Sequence, residues 1–68
     1  MNVVDQAIQA VGSLNELSRL LGVKPQVVVN WRARGVPAGR VLAIEQATAG
    51  RVTRHALRPD LYPLEQAA

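Results

Sequence analysis

Four stretches within the first fifty positions carry apolar residues at helical spacing, each preceded by a residue that starts a helix and followed by a glycine that stops one. Val4, Ala7, Ile8 and Val11 form the first stripe, with Asn2 as a cap, Asp5 placing negative charge in the first turn, and Gly12 as the stop. Ser13 and Glu16 make an S-x-x-E capping box for a second helix, whose buried side is expected to carry Leu14, Leu17, Leu20 and Leu21 before Gly22 ends it. Pro25 suits the first turn of a third helix, where its missing N–H is no loss, and that helix is expected to run to about Arg34 and stop at Gly35. Pro37 opens a fourth, in which Val41, Leu42, Ile44 and Ala47 close the core, with Gly50 as its stop.

The join between the second and third helices is the most constrained. Leu17 and Leu21 lie one turn apart on one face, Ser18 beside them is small enough for a second helix to cross closely, and Gly22 stands where the chain must turn sharply. Val23 plugs that turn, and Val28 and Trp31, at i and i+3, form the buried side of the next helix. This spacing predicts a helix-turn-helix over about 14–34. Beyond it, a tail over about 51–68 is less regular. Thr53 can cap a single turn through Leu57, but Pro59 pushes Arg58 out of the helical region and Pro63 breaks the chain again. Leu57, Leu61 and Tyr62 are expected to anchor the tail, while Val52 and Thr53 are alternatively the start of a short strand. The expected fold is therefore all-α, a small four- to five-helix bundle forming one domain over 1–68, with an irregular C-terminal tail.

Composition narrows the classes. A chain of 68 residues buries only about 60% of the surface it exposes when unfolded, so there is room for one modest core. Absence of cysteine excludes disulfides and thiolate metal sites and fits a reducing cytoplasm. No apolar run approaches the roughly 20 residues of a membrane span, and the first residues lack the basic start of a signal peptide. The net charge of +3 hides an uneven distribution. Between Lys24 and Arg58 there are seven cations (Lys24, Arg32, Arg34, Arg40, Arg51, Arg54, Arg58) against the single anion Glu45, a net +6. Such a stretch is either a solvated basic face or the footprint of a polyanion, and its start at the third helix favours the polyanion.

The major groove of B-form DNA admits an α-helix, and the outer face of the third helix offers Gln26, Val29 and Asn30, with Lys24 at its mouth. Gln and Asn amides each donate and accept a hydrogen bond, matching N6 and N7 of adenine, and Val29 can pack on a thymine methyl. Polar residues on an exposed helix face also serve solubility alone; their place in the motif is what assigns Gln26 and Asn30 to base reading. Phosphate contacts are expected from Lys24, Arg32, Arg34 and Arg40, and from the free N–H groups around Ser13, Leu14 and Asn15. About four neutralised phosphates per subunit imply that log K falls with log salt at a slope of roughly −4. Arg51, Arg54 and Arg58 are expected to bind backbone carbonyls or Asp60 as readily as phosphate. Trp31 is expected in the core, because surfaces that stack bases interleave several aromatics and this chain has only Trp31 and Tyr62. His55, the sole histidine, neighbours no nucleophile, so the chain is not expected to be an enzyme or to hold a cofactor or metal.

The segment from Leu14 to Arg34 resembles the helix-turn-helix of Cro-type phage repressors. Through GVKPQVVVNWRARGVPAGRVLAIE and the terminal RPDLYP the chain resembles the YdaS-type proteins classed as antitoxins, over roughly residues 2 to 64. The resemblance implies a lambda-repressor-like (Cro-like) fold and a transcriptional repressor that works as a dimer on short inverted repeats of double-stranded DNA, or an antitoxin that neutralises a protein toxin and represses its own operon. It puts base-reading positions at Pro25, Gln26 and Asn30 and phosphate contacts near Ser13, Arg34 and Arg40. Pro25 departs from the pattern, since many such repressors have a hydrogen-bonding residue there. One helix reads about four to five base pairs, so two half-sites some 34 Å apart are expected. Leu57, Leu61, Tyr62 and Leu64 are candidates for a dimer contact or for packing within one chain. The implied setting is the cytoplasm of a bacterial or phage-infected cell, with no membrane partner.

Overall fold

A computed structural model describes residues 2–63, and within them the chain is built from five α-helices and one 3-10 turn. Helix α1 spans Val3–Val11, α2 Leu14–Leu21, α3 Pro25–Arg34, α4 Val41–Ala47 and α5 Arg54–Leu57, with the 3-10 turn at Ala38–Arg40 leading into α4. Each of the first three starts where a local cap or proline permits. The Asn2 side chain accepts a hydrogen bond from the Val4 N–H at 2.8 Å. Ser13 does the same for the Glu16 N–H at 3.1 Å. Pro25 opens α3. Only half of the capping box forms, because the Glu16 carboxylate pairs with Arg19 one turn on instead of reaching back to Ser13.

All five α-helices contribute to the core, while the 3-10 turn contributes no buried residue. Leu17, Val28, Val36, Val41 and Ile44 are fully covered, and Val4, Ala7, Leu21, Trp31, Val52 and Leu57 complete the buried cluster. Two expected core leucines are outside it: Leu20 is 46% exposed and Leu42 44%. On α2 the covered arc is Leu17, Ser18 and Leu21, so the helix is rolled toward its small residue, where close crossing is possible, and Leu20 is turned out. On α4 the covered arc is Val41, Ile44 and then Thr48, which leaves Leu42 on the outer side. Thr48 is tolerated in the interior because its hydroxyl is satisfied, donating to the Glu45 carbonyl at 3.1 Å and accepting from the Val52 N–H at 3.2 Å.

The end of α4 also departs from expectation. Gly50 was the expected stop, yet the helix closes one residue earlier, on Ala49 at φ 56°. The Ala49 N–H bonds to the Gln46 carbonyl and the Gly50 N–H to the Glu45 carbonyl, the same closing pattern that Gly22 and Val23 make at the end of α2. Past it, the single turn expected from Thr53 is present as α5, capped by the Thr53 hydroxyl on the Ala56 N–H at 3.2 Å. Val52 and Thr53 form no strand; Val52 is buried in the core. Leu64 lies outside the described residues.

Candidate nucleic-acid interface

Glycine at position 22 makes the motif possible. Its φ of 71° and ψ of 30° are left-handed values that an L side chain resists, and they swing the chain from α2 into the extended Lys24 within three residues. The Val23 N–H donates to the Ser18 carbonyl at 3.0 Å, and the Val23 side chain packs against the core. Helix α3 leaves this turn with no acidic residue and no capping side chain at its start, so its positive end carries only Lys24 beside it.

Which face α3 shows follows from what it buries. Val28 and Trp31 point inward. The opposite arc, at 3.6 residues per turn, is Gln26 and Ala33 along its middle with Asn30 and Val29 on either side. Gln26, Asn30 and Ala33 are exposed and Val29 is half-buried. Gln26 and Asn30, one turn apart, are joined: Gln26 Nε2 donates to Asn30 Oδ1 at 3.1 Å. Ala33 belongs to this face as well, seven residues on from Gln26, but a small apolar side chain carries no sequence signal of a contact. Pro25 is exposed at the end of the same helix.

The basic residues sort into two groups. Arg32 pairs with Asp5 of α1 at 2.8 Å, and its carbonyl accepts from Asn2 Nδ2 at 3.1 Å, so it ties α3 to α1. Arg19 pairs with Glu16, Arg54 with Glu45 at 3.0 Å, and Arg58 with Asp60 at 2.8 Å. These contacts engage every acidic side chain among the described residues. Lys24, Arg34, Arg40 and Arg51 remain without an ion pair there. Lys24 and Arg34 bracket α3, and Arg40 Nη1 reaches the Leu21 carbonyl at 3.4 Å, beside the turn. Ser13 and Asn15 stand exposed at the start of α2; the Ser13 oxygen is already accepting from Glu16, and the Asn15 side chain has no partner among the described residues.

The pairs leave their mark on proton affinity. Hydrogen bonding from Arg19 holds the Glu16 carboxyl below the usual range and raises Arg19 in turn. Glu45 is likewise lowered, first by the Arg54 side chain and then by the Arg54 backbone N–H. Asp60 is lowered by the Arg58 guanidinium.

The tail is an anchor more than a surface. Leu57 is buried, and Tyr62 is half-buried, its carbonyl accepting from His55 Nδ1 at 2.7 Å and its ring lying 5.8 Å from the Arg54 guanidinium. Arg58 Nη1 donates to the Val36 carbonyl at 2.7 Å. Of the apolar tail candidates within the described residues, only Leu61, 42% exposed, faces outward. Among those residues no cluster of His, Cys, Asp and Glu is placed to hold a metal, and no helix is long and apolar enough to cross a membrane.

Known proteins resemble this chain in sequence and in fold. A family model described as "Bacterial toxin YdaS" matches residues 4–66. A protein of Escherichia coli (strain K12) described as "Putative transcriptional regulator YdaS" is 47% identical over 58 residues, covering 82% of this chain and 59% of that protein. The chain thus spans less than two thirds of that relative's length. Among solved structures, "Structure of the Cro protein from putative prophage element Xfaso 1 in Xylella fastidiosa strain Ann-1" superposes with a TM-score of 0.87 at 46% identity, over 91% of this chain and 97% of the other.

Proposed function

This chain belongs to the YdaS family, with the Cro-type helix-turn-helix fold, and on that premise we propose that it is a sequence-specific repressor that reads the major groove of double-stranded DNA with α3. The observation that carries this reading is the division of labour around α3. Its inner arc is spent on the core, its outer arc presents amides and small apolar groups, and the cations left unpaired include the two that bracket it. Gln26 and Asn30 read base edges, and Val29 meets a thymine methyl. Pro25, without an N–H, makes its contact by shape. Lys24, Arg34 and Arg40 take phosphates, with Ser13, Asn15 and the amino end of α2 as a further phosphate seat. Arg32 contributes less, since Asp5 already holds it.

One such helix spans too few base pairs for useful specificity, so the protein acts as a two-fold dimer on an inverted repeat with half-sites about 34 Å apart. Leu61 is the described tail residue available to such a contact. The test is selection of binding sequences from a randomised duplex pool, followed by band shifts with Gln26→Ala. Enrichment of an inverted repeat, with binding to it reduced in the variant, is the expected result; retention of duplexes regardless of sequence overturns the reading.

A second reading is a role in a toxin–antitoxin pair through a protein partner. The description of the matching family model favours the toxin side of such a pair over the antitoxin side. Induced expression in a bacterial host decides it: growth arrest that persists in Gln26→Ala is the mark of a target other than DNA.

A further inference from the structure

The hydrogen bond between Gln26 Nε2 and Asn30 Oδ1, 3.1 Å long, lies on the exposed side of α3, away from the core. Neither residue is buried, and neither side chain makes a polar contact to another helix among the described residues. Side chains at i and i+4 are neighbours on a helix surface, so the bond needs no distortion to form. Its effect is on the Gln26 amide. A primary amide has two N–H donors and one carbonyl acceptor. Asn30 occupies one donor, leaving the second donor together with Oε1 for another partner.

Adenine in the major groove presents an N6–H donor next to the N7 acceptor, and a glutamine amide meets both at once only when its oxygen faces N6 and its nitrogen faces N7. An unrestrained amide rotates freely and offers the reverse orientation as often, which sets donor against donor at N6. It must also lose the freedom of a long side chain on contact. We infer that Asn30 is a positioning residue for Gln26: its Oδ1 holds the Gln26 amide in the orientation that pairs with adenine, so that the two side chains read one base as a unit. This rests on the function proposed above and goes beyond it, because there the two amides read separately.

The experiment is a double-mutant cycle read as discrimination. The duplex enriched by the wild-type chain is compared with the same duplex in which the A·T pair contacted by Gln26 is replaced by G·C, and the ratio of affinities is measured for the wild type, Gln26→Ala, Asn30→Ala and the double variant. A good bidentate contact corresponds to a ratio of roughly 5- to 150-fold. Asn30→Ala is expected to lower that ratio several-fold when Gln26 is present and to leave it unchanged in the Gln26→Ala background. Asn30→Asp keeps the accepting oxygen; its added charge weakens both duplexes alike, so the ratio is expected to survive. Equal losses from Asn30→Ala in both backgrounds, or loss of discrimination at a different base pair, overturn the inference while leaving the repressor reading intact. If the wild-type chain enriches no sequence at all, both fall together.

Discussion

Ala49 holds a left-handed conformation that its counterpart at the end of α2, Gly22, adopts without penalty. The left-handed region costs an L residue about 1–2 kcal/mol, and a glycine there gives back roughly 0.4–1 kcal/mol through the greater freedom of the unfolded chain. Ala49→Gly is therefore expected to stabilise the protein by about 1 kcal/mol, a rise in Tm of about 4–8 °C for a domain of this size. Trp31, the sole tryptophan and a core residue, is a convenient fluorescence reporter for that measurement. A second residue, Glu45, joins two helices: its carboxylate accepts from the Arg54 N–H at 2.7 Å and from Arg54 Nε at 3.0 Å. Its folded pKa lies below the unfolded value, as do those of Glu16 and Asp60, so the unfolded chain binds protons first as pH falls. The stabilisation is complete above the unfolded values and disappears as pH drops through the folded ones. Urea midpoints are expected to stay level from neutrality to about pH 5 and then decline, with a shallower decline in Glu45→Gln; an unchanged decline in that variant assigns the acid loss elsewhere.

At the scale of the element, α3 is a helix with one face committed and the other free. Its buried arc consists of Val28 and Trp31 alone, which is enough because Leu17 and Leu21 of α2 belong to the same core cluster. On the proposed reading, the small Ala33 on the middle of the outer arc is what lets that side approach the floor of a groove. Ala33→Glu places a long anion there and is expected to lower DNA affinity more than tenfold, while changing stability by no more than about 0.5 kcal/mol, as for an ordinary exposed site. Gln9→Glu on the exposed side of α1 introduces the same charge and is the control. Equal losses in the two variants mean that net charge, and not the α3 face, governs binding. The starts of the first three helices and the turn were legible in the sequence because caps, Pro25 and Gly22 act within about four residues of where they stand; the fourth helix, expected from Pro37, begins only at Val41, because Pro37 opens the 3-10 turn Ala38–Arg40 instead. The position of Leu20 was not, since two leucines adjacent on a helix compete for one covered arc and the neighbouring helix decides between them.

For the whole molecule, charge is the property that folding rearranges most. The sequence counts seven cations between Lys24 and Arg58, but Arg32, Arg54 and Arg58 are each held by a carboxylate in the folded chain. With Lys24, Arg34 and Arg40 as the phosphate contacts, the slope of log K against log salt is expected near −3 per subunit, in place of the roughly −4 obtained when Arg32 is counted. Arg34→Ala is expected to make the slope shallower by about 1, and Arg32→Ala to leave it nearly unchanged. Equal changes in the two variants indicate that Arg32 leaves Asp5 on binding.

From the sequence alone came the all-helical class, the helix-turn-helix and its boundaries, the inward Val28 and Trp31, and the family resemblance that the comparisons bear out. Those features depend on backbone preferences and on periodicity, which are local and survive without knowledge of the partner. Tertiary structure decided which arginines are neutralised and which leucines are covered. Asp5 meets Arg32, and Arg58 meets the Val36 carbonyl, across separations at which spacing along the chain carries no information about distance in space. Only the packing of α1 against α3, and of the tail against the loop after α3, brings those groups within reach.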